Sequence, residues 1–455
     1  MSFRRALSLS VPLLIAGLAY LIEIPALDSM PYGEMAHRAI CIVIIAALYW
    51  VLEPIPSYAT SLFVAFMSLF FFDEALLPQK EVFAAFANPV IFLFLGGLFL
   101  ARAVSICKLD LNLARVILRV CGNGTSVVLL SLMFLTAAMS MFMSNTATTA
   151  MMLSVALSIS ATLPRGDNYA KALVMGIPLA ANVGGMGTPI GTAPNAVALS
   201  NLEAKNYDVS FLEWMFLALP IVCILLLFVW VFLRVLYKTE LSQVEVKSLD
   251  GEFDTSPKAI SVYVVFALTV VLWLSSKWHG IPSSVVAFLP VFLFSASGVI
   301  GKKELRNISW DVLWLISGGL VLGLVMERSS LSSWLVEQIP FSQMPFLLLL
   351  ALLCLLGVCI STFISNTATA NLLVPIAMGL SSLLPDDSKL FLPIALSLSC
   401  SLAMALPIST PPNALAFSTG VVTSSDFFKA GTIVSLVGLS VLFAFCFIWR
   451  SFALL

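Results

Sequence analysis

Two short polar segments interrupt an otherwise apolar chain, and they are near copies of each other. Ser140-Met141-Phe142-Met143-Ser144-Asn145-Thr146-Ala147-Thr148 agrees with Ser361-Thr362-Phe363-Ile364-Ser365-Asn366-Thr367-Ala368-Thr369 at seven of nine positions, at an offset of 221. Further along, Pro189-Ile190-Gly191-Thr192-Ala193-Pro194-Asn195 agrees with Pro407-Ile408-Ser409-Thr410-Pro411-Pro412-Asn413 at five of seven, at an offset of 218. The side chains are hydroxyls and carboxamides. Neutral oxygens of this kind can replace part of a sodium ion's water shell, and short donors and freed amide N–H groups can meet an anion.

The spacing fits a divided site. Ser140 and Ser144 are four apart, as are Ser361 and Ser365, so on a helix each pair shares a face. With Asn145 or Asn366 each pair forms half of an oxygen cage. The prolines at 189, 194, 407, 411 and 412 remove donors and free upstream carbonyls. Gly191 and Ser409 thereby become candidate carbonyl ligands, while Thr192 and Thr410 offer hydroxyls to a substrate. No Lys or Arg lies in mid-span, Arg102 being near a span end. An anion here must rely on amide dipoles, hydroxyls and co-bound cations, because a dianion taken alone into a low-dielectric pocket loses its hydration uncompensated. Mid-span Asp and Glu are also lacking, which disfavours a proton relay.

The elements holding these residues are membrane helices. The 455 residues are 60% hydrophobic and only 10% charged, with a net charge of −1 and a mean hydropathy of +1.05. Soluble domains carry about 25% charged residues. Nothing in this charge balance points to a nucleic-acid partner, and HExxH, GxSxG and P-loop patterns are missing, which leaves a membrane-embedded enzyme a distant reading. The eight cysteines lie in or beside apolar runs and read as small membrane hydrophobes. Spans of roughly 20 residues fall near 7–25, 36–52, 55–72, 84–104, 211–237, 259–276, 281–299, 310–327 and 428–450. Two stretches, 106–121 and 329–340, suit the membrane interface. Segments 125–162 and 345–384 are twice a span's length with Ser-Asn-Thr at the middle. They are expected to be re-entrant hairpins; 166–203 and 389–420 are expected to be broken helices. The expected fold is therefore all-α and polytopic, with about eleven crossings and two hairpins.

With the N-terminus in the cytoplasm, 16 of the 23 Lys and Arg fall inside and seven outside, as the positive-inside rule requires. Gly96-Gly97-Leu98 recurs as Gly318-Gly319-Leu320 and Ile55-Pro56-Ser57 as Ile281-Pro282-Ser283, so four collinear matches define two units. Five crossings per unit is odd, so the second unit starts on the opposite face: an inverted repeat, with the site where the units meet. The expected parts are an N-terminal helix (1–35), a first repeat (36–237, with scaffold helices 36–104), a cytoplasmic linker (238–258) and a second repeat (259–455, with scaffold helices 259–327). A single Ser-Asn-Thr would be read as packing or a kink; its duplication on paired hairpins turns it into a transport site. The Gly-Gly pairs are expected to permit close helix packing, Glu53 to be a turn residue, His279 a solvated loop residue, the Phe-rich runs lipid-facing bulk, and 238–258 a solvated connector.

At these motifs the chain resembles the divalent anion–sodium symporter family, the solute carrier 13-like carriers of dicarboxylates, citrate and sulfate. The similarity runs from about residue 36 to the end. It implies a homodimer with a scaffold and a moving transport domain, working by an elevator-like motion in the inner or plasma membrane. It implies substrate contacts at Ser144, Asn145, Thr146 and Thr192, and at Ser365, Asn366, Thr367, Thr410 and Pro411. It implies one sodium at Ser140, Ser144, Asn145 and Gly191 and another at Ser361, Ser365, Asn366 and Ser409, with 106–121 and 329–340 as the arms between domains. The expected activity is sodium-coupled symport of a small dianion, a C4-dicarboxylate such as succinate or malate. A sodium-independent exchanger, a sodium/sulfate symporter and, more distantly, an ion channel remain open.

Overall fold

The computed structural model describes residues 3–21, 33–164, 166–244, 253–338, 344–381, 384 and 389–452. The described residues are helical almost throughout. The first helix, α1 (Phe3–Leu21), packs along α2 (Gly33–Leu52); the expected end of the first span, 22–25, lies outside the described residues. The chain turns at Glu53, which adopts φ 44° ahead of Pro54, as expected of a turn residue. Next come α3 (Ser57–Phe71), α4 (Gln79–Ala85) and α5 (Pro89–Ile106). Lys108, in the left-handed region, redirects the chain into α6 (Leu109–Cys121), the first expected arm.

Both double-length segments fold as helical hairpins. The first is α7 (Thr125–Ser140) and α8 (Asn145–Ser160), separated by the four residues 141–144. Both long interrupted runs fold as broken helices. The first is α9 (Tyr169–Gly185) and α10 (Ala193–Ala204). The long helix α11 (Phe211–Leu236) closes the first half, with Ser210 and Glu213 forming a capping box. In the second half, α12 (Pro257–Leu274) and α13 (Ser276–His279) lead to α14 (Ser283–Val286) and α15 (Phe288–Ala296). Then come α16 (Lys302–Arg306), α17 (Trp310–Arg328) and α18 (Leu331–Gln338), in the second expected arm. The second hairpin is α19 (Phe346–Phe363) and α20 (Asn366–Ser381); the second broken helix is α21 (Phe391–Ser401) and α22 (Pro411–Ser418). The chain ends in α23 (Ser424–Phe452). Among the described residues seven helices are long and apolar enough to cross a bilayer.

The two halves exchange elements reciprocally. The end of the first broken helix, α10, packs on α20 and α21 of the second half; the end of the second, α22, packs on α8 and α9 of the first. Glycines at the crossings allow this closeness. A Cβ at Gly318 would lie 2.2 Å from the Cβ of Ser61, and one at Gly184 2.3 Å from the carbonyl of Ala137. The repeated Gly-Gly pairs are packing residues, as expected: Gly96 faces Ala287, Gly97 Ile190 and Gly319 Asn371.

Ion pairs sort to two ends of the bundle. At one end Arg328 bonds Glu81 at 2.7 Å, Lys205 bonds Glu327 and Lys277 bonds Glu213 at 2.5 Å. At the other, Arg102 bonds Glu304 at 2.6 Å and Lys171 bonds Asp426 at 3.1 Å. Tyr237 donates to the same Asp426 carboxylate, and burial together with that charge pushes its phenol up. The first hairpin is rooted at the Asp426 end, where Thr125 N–H donates to Ser242. The second is rooted at the Arg328 end, where Gly379 abuts Ser332.

Four expectations are refined or corrected. The span 281–299 is helical over Ser283–Ala296 with a local turn at Ala287, whose backbone stays helical (φ −60°, ψ −23°) where it presses against Gly96 and where Pro290 offers no N–H to the Val286 carbonyl. The charges at the start of the 238–258 linker, Lys238 and Glu240, are exposed as expected, while its next residues are pinned to the first hairpin. Gln243 bridges to Gly124, Val244 N–H donates to Asn123, and Val244 is buried; residues 245–252 lie outside the described residues. His279 is not a solvated loop residue. It ends α13, with Nδ1 accepting from Ile281 N–H and Nε2 2.9 Å from the Leu272 carbonyl. The Phe-rich runs divide: Phe66 and Phe70 are exposed, whereas Phe94 and Phe99 are buried. Arm residues 339–340 and hairpin residues 382–383 lie outside the described residues.

Candidate functional site

A cavity of about 830 Å³ lies where the halves meet, and both hairpin tips line it. From the first half come Ser144, Asn145 and Thr146 of the tip with Gly191 and Thr192 of the helix break. From the second come Ser365, Asn366 and Thr367, then Ser409, Thr410 and Pro411 of the other break. The hairpins are rooted at opposite ends of the bundle, yet their tips reach the same space. Each tip therefore stops inside the protein, which suits a re-entrant hairpin.

Four helices, α8, α10, α20 and α22, begin at this cavity. The first turn of a helix leaves N–H groups unpaired and carries the positive end of the helix dipole. The two breaks have matching geometry: Thr192 sits at φ −149°, ψ 146° and Thr410 at φ −142°, ψ 148°. Among the described residues no lysine or arginine lines the cavity, and the one charged lining residue is Glu53. The attraction for an anion is thus made of amides, hydroxyls and carboxamides. Apolar walls such as Phe94, Leu98, Phe142 and Ile364 keep the dielectric low, which strengthens those dipoles.

Ser140 and Ser361 do not line the cavity; both are fully buried behind the tips. Ser140 Oγ lies 2.6 Å from Asn145 Oδ1 and 2.8 Å from the Ala181 carbonyl. Among the described residues Asn366 Oδ1 is buried without a protein partner, and Ser361 Oγ is buried with only the weakly bonding Cys400 thiol beside it. Among the described residues no hydrogen bond reaches the carbonyls of Gly191 or Ser409. The expected cation-binding oxygens are therefore grouped and under-satisfied, which a hard cation would correct. The tips are not identical: Ser365 Oγ accepts from Ala368 N–H, whereas Ser144 caps nothing with its side chain.

Several residues that hold the site gave no separate signal in the sequence. Asn195 Nδ2 spans the carbonyls of Gly185 and Thr188 at 3.1 and 2.8 Å; Asn413 Nδ2 does the same for Met404 and Leu406 at 3.1 and 3.0 Å. These asparagines close the helix breaks by satisfying carbonyls that the break frees. Trp214 Nε1 donates to the Met186 carbonyl at 3.1 Å, and Thr188 Oγ1 to Met141. Asn182 reaches across the halves to Thr410 and Asn413 at 3.1 and 3.3 Å. Only the recurrence of asparagine after proline at 195 and 413 could have flagged any of these.

Comparison with known proteins matches this architecture. The profile of the citrate transporter family, CitMHS, matches residues 47–380 and again 270–454. An uncharacterized transporter of Haemophilus influenzae is 33% identical over 431 residues, covering 90% of this chain and 91% of the relative. The sodium-dependent dicarboxylate transporter SdcS of Staphylococcus saprophyticus is 31% identical over 474 residues, covering 95% and 89%. Among solved structures, the YdaH transporter of Alcanivorax borkumensis superposes with a TM-score of 0.59 at 13% identity, covering 82% of this chain and 87% of that one. MtrF of Neisseria gonorrhoeae superposes with 0.55 at 14%, covering 83% and 84%. These two show a shared fold. The chain is a multi-pass membrane transporter rather than an enzyme, and it belongs to the citrate transporter family, carriers of the divalent anion–sodium symporter type.

Proposed function

We propose that this protein is a sodium-coupled symporter of a small dianion, a C4-dicarboxylate such as succinate or malate. One observation carries the reading: two polar tips and four helix N-termini converge on a cavity with no lysine or arginine among its described lining residues. A dianion entering beside Glu53 gains from amide and hydroxyl donors but keeps its net charge. Two sodium ions bound behind the tips neutralise it, and coupling follows because neither species binds well alone. A relative named as a sodium-dependent dicarboxylate transporter supports the same substrate class.

The substrate contacts Ser144, Asn145, Thr146 and Thr192 in one half and Ser365, Asn366, Thr367, Thr410 and Pro411 in the other. One sodium takes Ser140, Ser144, Asn145 and the Gly191 carbonyl. The second takes Ser361, Ser365, Asn366 and the Ser409 carbonyl. The chain lies in the inner or plasma membrane with its N-terminus and the Arg102–Glu304 end in the cytoplasm. Its halves are an inverted repeat of about eleven crossings. Glu53, Ala101 and Ser309 line the cavity toward that end, which supports reading this as an inward-facing state. Hairpins and broken helices move as a transport domain against the remaining scaffold in an elevator-type cycle, within a homodimer.

The test is uptake of labelled succinate by liposomes containing the purified protein, with and without an inward sodium gradient. Accumulation that requires sodium is expected. Uptake driven by internal dicarboxylate but indifferent to sodium would establish the exchanger instead. No dicarboxylate movement in either mode would redirect the substrate to sulfate or another oxyanion.

A further inference from the structure

We infer that Asn182 is a positioning residue for substrate binding, which fixes the Thr410 hydroxyl as a donor toward the cavity. The inference rests on the proposed role of Thr410 as a substrate contact and explains how one half of the site comes to be prearranged.

The carbonyl oxygens at this helix break have a fixed role. Those of Met404 and Leu406 can only accept, so the group of Asn413 that faces them is its amide nitrogen. Its Oδ1 therefore points the other way, where Asn182 Nδ2 donates to it at 3.3 Å. The same Asn182 nitrogen donates to Thr410 Oγ1 at 3.1 Å, and the Asn413 backbone N–H donates to that oxygen at 3.3 Å. A threonine hydroxyl has two acceptor positions and one proton. Both acceptor positions are filled, so the proton is the free part. Among the described residues Thr410 Oγ1 donates to nothing, and the residue lines the cavity. Its hydroxyl is thus held as a donor, the role an acceptor-only carboxylate needs.

The first half lacks this arrangement. At the repeat offset of 218, the counterpart of Asn182 is Cys400, whose thiol cannot supply the two donors of a carboxamide. Thr192 makes no side-chain cap bond, and Asn195 Oδ1 is buried without a partner. The Thr192 hydroxyl is therefore free to turn, whereas the Thr410 hydroxyl is oriented by a residue from the opposite half of the chain. Asn182 also lines the cavity, but it is 2% exposed and its Nδ2 is engaged by Thr410 and Asn413, so its effect on solutes is assigned to Thr410 and the double variant tests that route.

Succinate uptake into liposomes under a sodium gradient tests this with Asn182→Ala, Asn182→Cys, Thr410→Val and the double variant Asn182→Ala/Thr410→Val. Each single change is expected to raise the succinate KM roughly tenfold, the worth of one hydrogen bond of about 1.4 kcal/mol. The maximal rate should stay within about twofold, the range in which the site alone has changed. The double variant should match Thr410→Val, because Asn182 acts through that hydroxyl, and Thr410→Ser should retain wild-type KM. Losses that multiply in the double variant, or an Asn182 variant with a lowered rate and unchanged KM, would overturn the assignment. So would loss of folded protein in both Asn182 variants, which would place the residue in the fold. A wild-type protein that moves no dicarboxylate would remove the proposed function itself, and this assignment with it.

Discussion

Ser140 and Asn145 meet oxygen to oxygen: the serine Oγ lies 2.6 Å from the carboxamide Oδ1, with the Ala181 carbonyl 2.8 Å away on another side. One hydroxyl proton serves two acceptors, so the group carries more lone pairs than protons. A small cation resolves that excess. Ser140→Ala should therefore lower sodium affinity by about tenfold or more, the cost of removing one neutral ligand, while the succinate KM at saturating sodium shifts by less than about twofold. Sodium activation curves of uptake measure both. An unchanged sodium requirement would contradict a cation at this serine.

Ser361 should behave differently in stability. Its hydroxyl is buried with only the weak Cys400 thiol beside it, so Ser361→Ala removes a desolvated polar atom and at most a weak sulfur contact. In choline chloride the variant should melt no lower than wild type, whereas Ser140→Ala, which forfeits hydrogen bonds, should melt lower. In sodium chloride only wild type should gain stability at the second site. Thermal unfolding in the two salts decides.

Gly185→Ala should disable the first tip without touching it in sequence. A Cβ there would stand 2.7 Å from Asn145 Oδ1 and 2.8 Å from Nδ2, forcing the carboxamide aside. Transport should fall by about 100-fold, the scale on which a displaced binding group costs activity, with the protein still eluting as a folded species. Wild-type uptake would show that Asn145 is free to move and is not a ligand.

The four motif asparagines should separate into two classes. Asn145→Ala and Asn366→Ala remove cavity groups and should abolish transport while leaving folding intact. Asn195→Ala and Asn413→Ala strip donors from buried carbonyls and should each cost about 2–4 kcal/mol of stability. Melting temperatures of all four, measured together, test the division.

Orientation is open to labelling. With the three exposed cysteines Cys121, Cys223 and Cys359 replaced, Lys303→Cys and Lys205→Cys are expected to react from opposite faces of whole cells. An impermeant maleimide should reach position 205 first. Reaction of 303 alone from outside would invert the proposed topology.

The hairpins and breaks were legible because their signals are local and doubled: a polar tip in an apolar run, a proline cluster, and the same pair again some 220 residues later. The cavity followed from the parity of crossings, and both tips do line it. Ser140 and Ser361 were legible as partners of the tip but not as buried behind it, since a spacing of four gives a shared face and not a depth. The Asn182–Thr410 contact was illegible because it joins residues 228 apart across the repeat interface. The local turn at Ala287 was illegible because hydropathy alone does not register where a carbonyl loses its donor. The Val244–Asn123 contact was missed because charge density masked a short pairing segment.

The exchange of α10 and α22 between halves also bears on how the chain can be made. Roughly 250 residues separate Ser160, at the end of α8, from Pro411, which starts the helix that covers it. At ribosomal speeds of 5–20 residues per second, about 12–50 s pass before that cover exists. The first half must wait in the bilayer as an unfinished intermediate, its polar tip needing water, lipid headgroups or an insertion factor as a stand-in. A gene cut at the linker would then yield two fragments that mature only when expressed together.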